Sequence, residues 1–371
     1  MRSSAAIIGA GTAGLIAAKD LAASGIDVTV YDQREKPGFP AKASGILSAQ
    51  GTSSLGIRFH EAVTNSLNNL IVHAYGESLH IRSKEPKAYV LDRVKLNEIC
   101  IDEAEASGAR MQLGRRLGGA EIDRMSSRQV IVGADGALSE TAKHFGMGNI
   151  PPHLNTYKAE FNSNAPECDS AEIFFVEHIP KGLFGWMVPL QKDILEIGIG
   201  VESQTNARDA FAKLIGVQRI SDAIHDSKML SGWGSVIPIK MRPRIADTKK
   251  GVLLVGDAAG QVKPSTGGGI VFGASAAKLA SKAIKAHILR GEALEKYEHR
   301  YRSQFSLDIA AHGLIRRMYS AAWPSGMRAT IKLFNLLHID SIISRYGDMD
   351  MPTMPLRRAI GKMRLYGNKT Y

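Results

Sequence analysis

AAIIGAGTAG, residues 5–14, decides how the rest of the chain is read. Ala5–Ile8 is a short apolar run suited to a buried strand. Gly9, Gly11 and Gly14 then follow in the spacing GxGxxG, and beyond them Leu15, Ala18, Leu21 and Ala22 recur at helical intervals. Asp27–Tyr31 reads as a second strand and ends in Asp32. A strand–turn–helix–strand context makes the glycines informative. The first allows the tight turn, the second lets a pyrophosphate reach the backbone, and the third lets helix and strand pack closely. The helix N-terminus offers N–H groups and a positive dipole end to phosphates. Gly9, Gly11, Ala13 and Gly14 are thus candidate dinucleotide contacts, and Asp32 is a candidate acceptor for ribose hydroxyls. The alternative is a glycine-rich turn that only packs a helix on a sheet.

Two further apolar runs end in the same way. VIVGADG spans 130–136 and places Asp135 and Gly136 at a strand end; GVLLVGDAAG spans 251–260 and places Gly256 and Asp257 at another. In an open α/β sheet, ligands lie beyond the carboxyl ends of the strands. The three strand ends can therefore surround one extended nucleotide. KPSTGGGI, 263–270, follows Asp257. A glycine run costs folding entropy, so a close neighbour is expected at Gly267–Gly269.

The chain has 371 residues, long enough for two or three linked domains, and 44% of them are hydrophobic. No apolar run approaches the roughly 18 residues of a membrane-spanning helix. The N-terminus does not read as a signal peptide, because its apolar stretch is short and broken by glycine. Cys100 and Cys168 have neither CxxC nor zinc spacing and fit a reducing cytoplasm as core or surface thiols; no metal site is expected. The net charge is +11 and uneven. From His312 onward the cations are Arg316, Arg317, Arg328, Lys332, Arg345, Arg357, Arg358, Lys362, Arg364 and Lys369, opposed only by Asp340, Asp348 and Asp350. A basic tail can meet nucleic acid, an acidic protein or an anionic membrane surface, or can be a solvated face. Of the first three, the membrane surface is the expectation and nucleic acid is not.

GAGTAG with Asp32, VGADG and VGDAAG resemble the three FAD-binding motifs of the flavoprotein monooxygenase and reductase superfamily, from the N-terminus to about Arg290. The resemblance implies an α/β fold: a Rossmann-type FAD-binding domain with a β-rich substrate cap and C-terminal helices, an aromatic hydroxylase-like architecture. It implies that Asp257 approaches the ribityl chain, that the helix opening near Gly268, Gly269 and Ile270 points its N-terminus at the flavin, and that the glycines admit the isoalloxazine. LDRVKL, 91–96, resembles the segment whose arginine reaches the FAD, here Arg93; a guanidinium suits a pyrophosphate. Leu117, read as lying on the strand after that helix, is a candidate for a backbone contact to adenine.

Two stretches narrow the family. PGFPAKASGILS, 37–48, is similar to the geranylgeranyl reductase loop that passes beside the flavin, which makes Ala43, Ser44 and Ile46 candidate backbone contacts. The family's usual cysteine falls at Ala43, so thiol chemistry cannot operate there. FGWMVP, 184–189, resembles the YxWxFP motif of the same reductases, with Phe184 for Tyr and Val188 for Phe. Phe184, Trp186 and Val188 would line a lipid cavity. Flavin-dependent halogenases carry a two-tryptophan relative of this motif, and here only Trp186 is present.

The expected domains are a discontinuous FAD-binding unit (1–60, 85–150 and 240–290), a cap (61–84 and 151–239, with 63–81 adding strands to it) and a C-terminal helical region (291–371). Helical patterns cover Gly273–Leu289 and Tyr297–Tyr319. Arg328–Ile343 reads as a lid over an apolar cavity, an interfacial helix or a packed terminal pair. The resemblance implies an FAD-dependent reductase that saturates isolated double bonds of geranylgeranyl chains in archaeal-type ether lipids, cytoplasmic or at the membrane surface. Its partners would be a polyprenyl lipid and an electron donor. No second Rossmann fingerprint is visible, so NAD(P)H or a ferredoxin-type protein would meet the flavin transiently. Proton delivery that gives tertiary-cation character, with hydride from the flavin, suits an isolated alkene. Lys42 and the histidines are available as acids, but no donor is assigned. The rival readings are an FAD-dependent monooxygenase on an apolar or aromatic substrate and a membrane-docking flavin electron carrier.

Overall fold

β1 (Ser4–Ile8) enters the glycine turn, continues as α1 (Thr12–Ala22) and returns through β2 (Asp27–Tyr31). A long excursion follows, through β3 (Ile46–Ser48), β4 (Val63–Leu67), the hairpin of β5 (Asn69–Ala74) and β6 (Glu77–Ile81), and β7 (Ala88–Leu91). The chain regains the first layer through α2 (Arg93–Ala106), β8 (Arg110–Gln112), α3 (Gly119–Ser126), β9 (Gln129–Gly133) and the short α4 (Glu140–His144). Next come β10 (His153–Asn162), β11 (Ser170–Phe175), β12 (Gly182–Gln191), β13 (Ile194–Glu202), α5 (Ala207–Leu214), α6 (Gln218–Ala223) and β14 (Met229–Pro238). β15 (Ala246–Asp247) and β16 (Val252–Leu254) lead into the helices α7 (Ile270–Arg290), α8 (Glu295–Ala322), α9 (Ser325–Leu336) and α10 (Ile339–Tyr346). This computed structural model describes residues 3–41, 43–163, 169–323 and 325–353. Lys42, Cys168, Arg357, Arg358, Lys362, Arg364 and Lys369 lie outside the described residues.

The first sheet has the order β15-β16-β9-β1-β2-β8 and is parallel except for the antiparallel edge strand β15. Its inner strands are apolar almost throughout because both faces are covered. Ala5, Ile7, Val28, Val130, Val132 and Leu254 share one core with α1, α2 and α7. The carboxyl ends of β1, β9 and β16 therefore open on one side, where the three sequence motifs sit.

The second sheet has the order β14-β10-β13-β12-β11-β5-β6. Side chains alternate across a strand. One face, with Phe161, Phe174, Met187 and Ile197, packs on Phe211 and Leu214 of α5. The opposite face, with Phe184, Trp186 and Val188, turns toward the first sheet. β4 departs from expectation. It pairs with β7, which also pairs with β3, in a separate three-stranded sheet, so only β5 and β6 of the 63–81 stretch extend the larger sheet. The apolar 328–343 stretch is also not one helix: it breaks between α9 and α10 at His338, whose φ is 49°.

Candidate functional site

Gly9 takes φ +110°, and a Cβ there would lie 2.3 Å from Ala134 O, so the turn is pressed against the end of β9. Gly14 faces away from the opening, and a Cβ on it would meet Gly9 O at 2.2 Å. At Gly11, by contrast, an added Cβ would meet nothing within 4 Å. The N-terminus of α1 has no side-chain cap and no acid in its first turn, so its N–H groups are free for an anion. Asn97, which the sequence reading missed, is buried and fixes this turn. Its Nδ2 donates to Ala10 O (2.9 Å) and its Oδ1 accepts from Thr12 Oγ1 (3.2 Å).

Arg93 opens α2, whose Asp92 cap accepts from Val94 N and Lys95 N at 2.8 and 3.0 Å. That cap aims the guanidinium at α1, with Nη2 lying 3.4 Å from Thr12 Oγ1. Nη1 is buried with no hydrogen-bond partner. Burial pushes the guanidinium below its ordinary pKa, against the influence of Cys100 and Asp257. Asp257 shows the converse: burial raises its carboxyl, and Arg93 pulls it down. A cation and an anion thus face one opening without a direct hydrogen bond between them.

Asp257 lies in a tight turn, Gly256–Ala259, held from behind by a buried chain of hydrogen bonds. Gly256 N donates to Gln261 Oε1 (2.7 Å), Gln261 Nε2 to Tyr297 Oη (2.7 Å) and Tyr297 Oη to Leu254 O (2.8 Å). Gln261 and Tyr297 carry no motif and were not singled out from the sequence. The glycine run has close neighbours within the protein itself. Added Cβ atoms would strike Ile237 at Gly267, Lys263 at Gly268 and Asp257 Oδ1 (2.9 Å) at Gly269. Protein packing therefore enforces the absence of side chains, while the backbone lines the opening and leads to the uncapped N-terminus of α7.

Two predicted acids already have partners. Asp32 accepts from Ala10 N (2.8 Å) and from Arg34 N, Nε and Nη2 at 2.9 to 3.0 Å. Burial opposes its charge, but these bonds prevail and hold its pKa below the ordinary value. Asp135 accepts from Ser139 Oγ (2.6 Å), Thr141 N (2.9 Å) and Thr141 Oγ1 (3.0 Å), and so it braces the first turn of α4, whose cap is Ser139. The open position beside it is Gly136, where an added Cβ meets nothing within 4 Å. Leu117 lies in the loop between β8 and α3, not on a strand, because β8 ends at Gln112.

One cavity of about 1240 Å³ brings these groups together. Of the predicted residues, Gly9, Gly11, Ala13, Asp32, Ala43, Ser44, Ile46, Arg93, Leu117, Asp135, Gly136, Gly256, Asp257, Gly268, Gly269, Ile270, Phe184, Trp186 and Val188 line it, and Gly14 does not. Cavities for a single drug-sized molecule run to about 300–1,000 Å³, and this one exceeds them. Trp186 lies flat over Gly198, where a Cβ would come within 2.2 Å of the indole. Its Nε1 donates to Glu196 Oε1 (2.8 Å), and Lys158 Nζ binds Glu196 Oε2 (2.6 Å).

The C-terminal segment closes another side. Lys263 Nζ pairs with Asp350 Oδ1 (2.6 Å), both groups buried, and Ser48 Oγ also donates to Asp350. Ile343 and Met349 line the cavity. This tie between 263 and 350 has no local sequence signature, since it joins residues far apart in the chain.

A family model described as FAD binding domain matches residues 2–310. The chain is 24% identical over 360 residues to an uncharacterized protein of Methanocaldococcus jannaschii, covering 93% of this chain and 91% of that one. It is 26% identical over 335 residues to a digeranylgeranylglycerophospholipid reductase of Methanothermobacter thermautotrophicus, covering 82% and 84%. A solved geranylgeranyl bacteriochlorophyll reductase-like protein of Thermoplasma acidophilum shares the fold, with a TM-score of 0.79, 17% identity and coverage of 96% and 95%.

Proposed function

The chain belongs to the FAD-binding domain family, and from that premise we propose that it saturates isolated carbon–carbon double bonds of geranylgeranyl chains in archaeal-type ether lipids. FAD is its cofactor. The observation that carries the lipid reading is one cavity that joins the α1 turn and Asp257 to the apolar wall of Phe184, Trp186 and Val188.

The residues present fit the cofactor. The unpartnered Arg93 Nη1 is placed for a pyrophosphate beside the free N-terminus of α1. Gly11 and Gly136 leave room where a larger residue would fill the cradle. Asp257 is placed to accept polyol hydroxyls, and hydrogen bonds to its charged form would offset the burial that now raises its pKa. Reduced flavin supplies hydride; the chain orients the alkene and excludes water and dioxygen. Phe184, Trp186 and Val188 hold a polyprenyl chain by contact alone, the only means an unfunctionalised hydrocarbon offers. The electron donor in this reading is NAD(P)H or a ferredoxin-type protein.

The lipid would be met at a membrane surface. Among the described residues no helix is long and apolar enough to cross a membrane. Yet Leu314 and Met318 of α8, near Arg317 in sequence, and Leu336, Leu337 and Ile342 of the α9–α10 stretch, near Arg345 and the cavity-lining Ile343 in sequence, are exposed. Apolar side chains among cations suit an anionic bilayer face.

Anaerobic mixing of reduced holoprotein with a digeranylgeranyl ether lipid tests the activity. Flavin reoxidation together with a dihydro lipid supports the reading. Lipid change only after admitting dioxygen would favour a monooxygenase, and reoxidation by a partner protein with the lipid untouched would favour a carrier.

A further inference from the structure

Lys158 is an unexpected residue to find in an apolar wall. It lies on β10, its side chain is 4% exposed, and it faces the cavity that Trp186 and Val188 line. Glu196, on the neighbouring β13 across from Glu160, is fully buried. Their ion pair is desolvated, and pairs of this kind seldom stabilise more than an apolar replacement would. The indole N–H of Trp186 satisfies the second carboxylate oxygen. The ammonium's other partners sit at the limit of hydrogen-bond distance: Ala43 O at 3.4 Å and Glu160 Oε1 at 3.5 Å. A reacting group would therefore compete only with weak contacts. Ala43 belongs to the loop that lines the same cavity with Ser44 and Ile46, so Nζ sits where that loop meets the substrate wall. The other deeply buried lysine of this cavity, Lys263, has two firm partners, Asp350 Oδ1 at 2.6 Å and Met349 O at 3.2 Å.

We propose that Lys158 is the acid that protonates one carbon of the substrate double bond, with Glu196 holding its ammonium in place and Glu160 returning the proton from water. The inference rests on the reductase reading above. The alkene π bond breaks as one carbon gains hydride, with its electron pair, from the reduced flavin. The other carbon gains H⁺ as the Nζ–H bond breaks. The products are the saturated pair of carbons, oxidised flavin and a neutral amine. Positive charge passes from Nζ toward carbon while the Glu196 carboxylate stays beside it and favours cationic character. Glu160, a quarter exposed on the same face of β10, connects Nζ to solvent for reprotonation.

The test uses FAD-loaded protein in anaerobic single-turnover reduction of a digeranylgeranyl ether lipid, with FAD affinity of the apoprotein measured alongside. Lys158→Ala removes the acid, and Lys158→Met with Glu196→Gln keeps the wall free of an unpaired charge in case the single variant fails to fold. The expected result is FAD affinity within about threefold of the parent, loss of lipid reduction by about 10²–10⁴-fold at saturating lipid, and recovery of Lys158→Ala by added ethylammonium. A folded double variant that reduces lipid at the parental rate would overturn the proposal and leave the reductase reading standing. So would a loss that saturating lipid cures, or one that ethylammonium leaves untouched, since each marks a structural role. A parent protein that reduces no lipid would remove both.

Discussion

Arg93 Nη1 is a buried donor with nothing to donate to, and that single atom argues strongly for an anion in the cavity. A hydrogen bond to a charged group contributes about 1.5–3 kcal/mol. Arg93→Met should therefore raise the Kd for FAD roughly tenfold to a hundredfold, read by titrating apoprotein with FAD; an unchanged Kd would remove Arg93 from the site. Asp257 gives a pH test. Its folded-state pKa is raised by burial, so the ionised form costs stability above that pKa, and the cost lifts as pH falls through it. Apoprotein Asp257→Asn should melt higher than its parent at neutral pH, with the gap shrinking in acid, while binding FAD more weakly. A gap that grows in acid would reverse the assignment. Asp257 was legible in the sequence because it ends an apolar strand, and Arg93 because its segment resembles a known one. Asn97, Gln261, Lys158 and Glu196 were not: each is a polar residue whose importance arises from burial and from partners distant in the chain, and one sequence records neither.

At the level of elements, the glycine run is hemmed in by the protein's own side chains. The sequence placed Gly267–Gly269 at the site, but the space their side chains would need is taken by Ile237, Lys263 and Asp257. Gly269→Ala should displace Asp257 or Val262, each 2.9 Å from the added carbon. Overpacking of that kind costs about 1–3 kcal/mol, visible as a lower melting temperature and weaker FAD binding; parental values for both would show that the turn has slack. The Lys263–Asp350 tie is a second element-scale test. Asp350→Asn leaves a buried ammonium without its counter-charge, at a cost of about 3–5 kcal/mol, and thermal unfolding should show it. The resemblance of FGWMVP to a known motif made the Phe184–Trp186–Val188 face readable in advance. β4 was misplaced because a five-residue strand carries no mark of which sheet it joins.

Across the whole molecule, the two large sheets enclose a cavity that neither could form alone; the exposed Ile342 of α10 adjoins Ile343 in its lining, and further apolar side chains are exposed on α8 and α9. Vesicles containing phosphatidylserine should bind the protein at low salt. Arg317→Gln and Arg345→Gln should each weaken that binding about fivefold, for roughly 1 kcal/mol per cation; salt-independent binding, or none, would count against this face. The central claim is that flavin and lipid share the one cavity. Its most direct measurement is the visible absorption of oxidised holoprotein titrated with a saturated diphytanyl ether lipid, which can bind but cannot react. A saturable shift of the flavin band is expected, abolished when Trp186→Arg occupies the wall. A flavin spectrum unmoved while the lipid is shown to be bound would place the two in separate sites and contradict it.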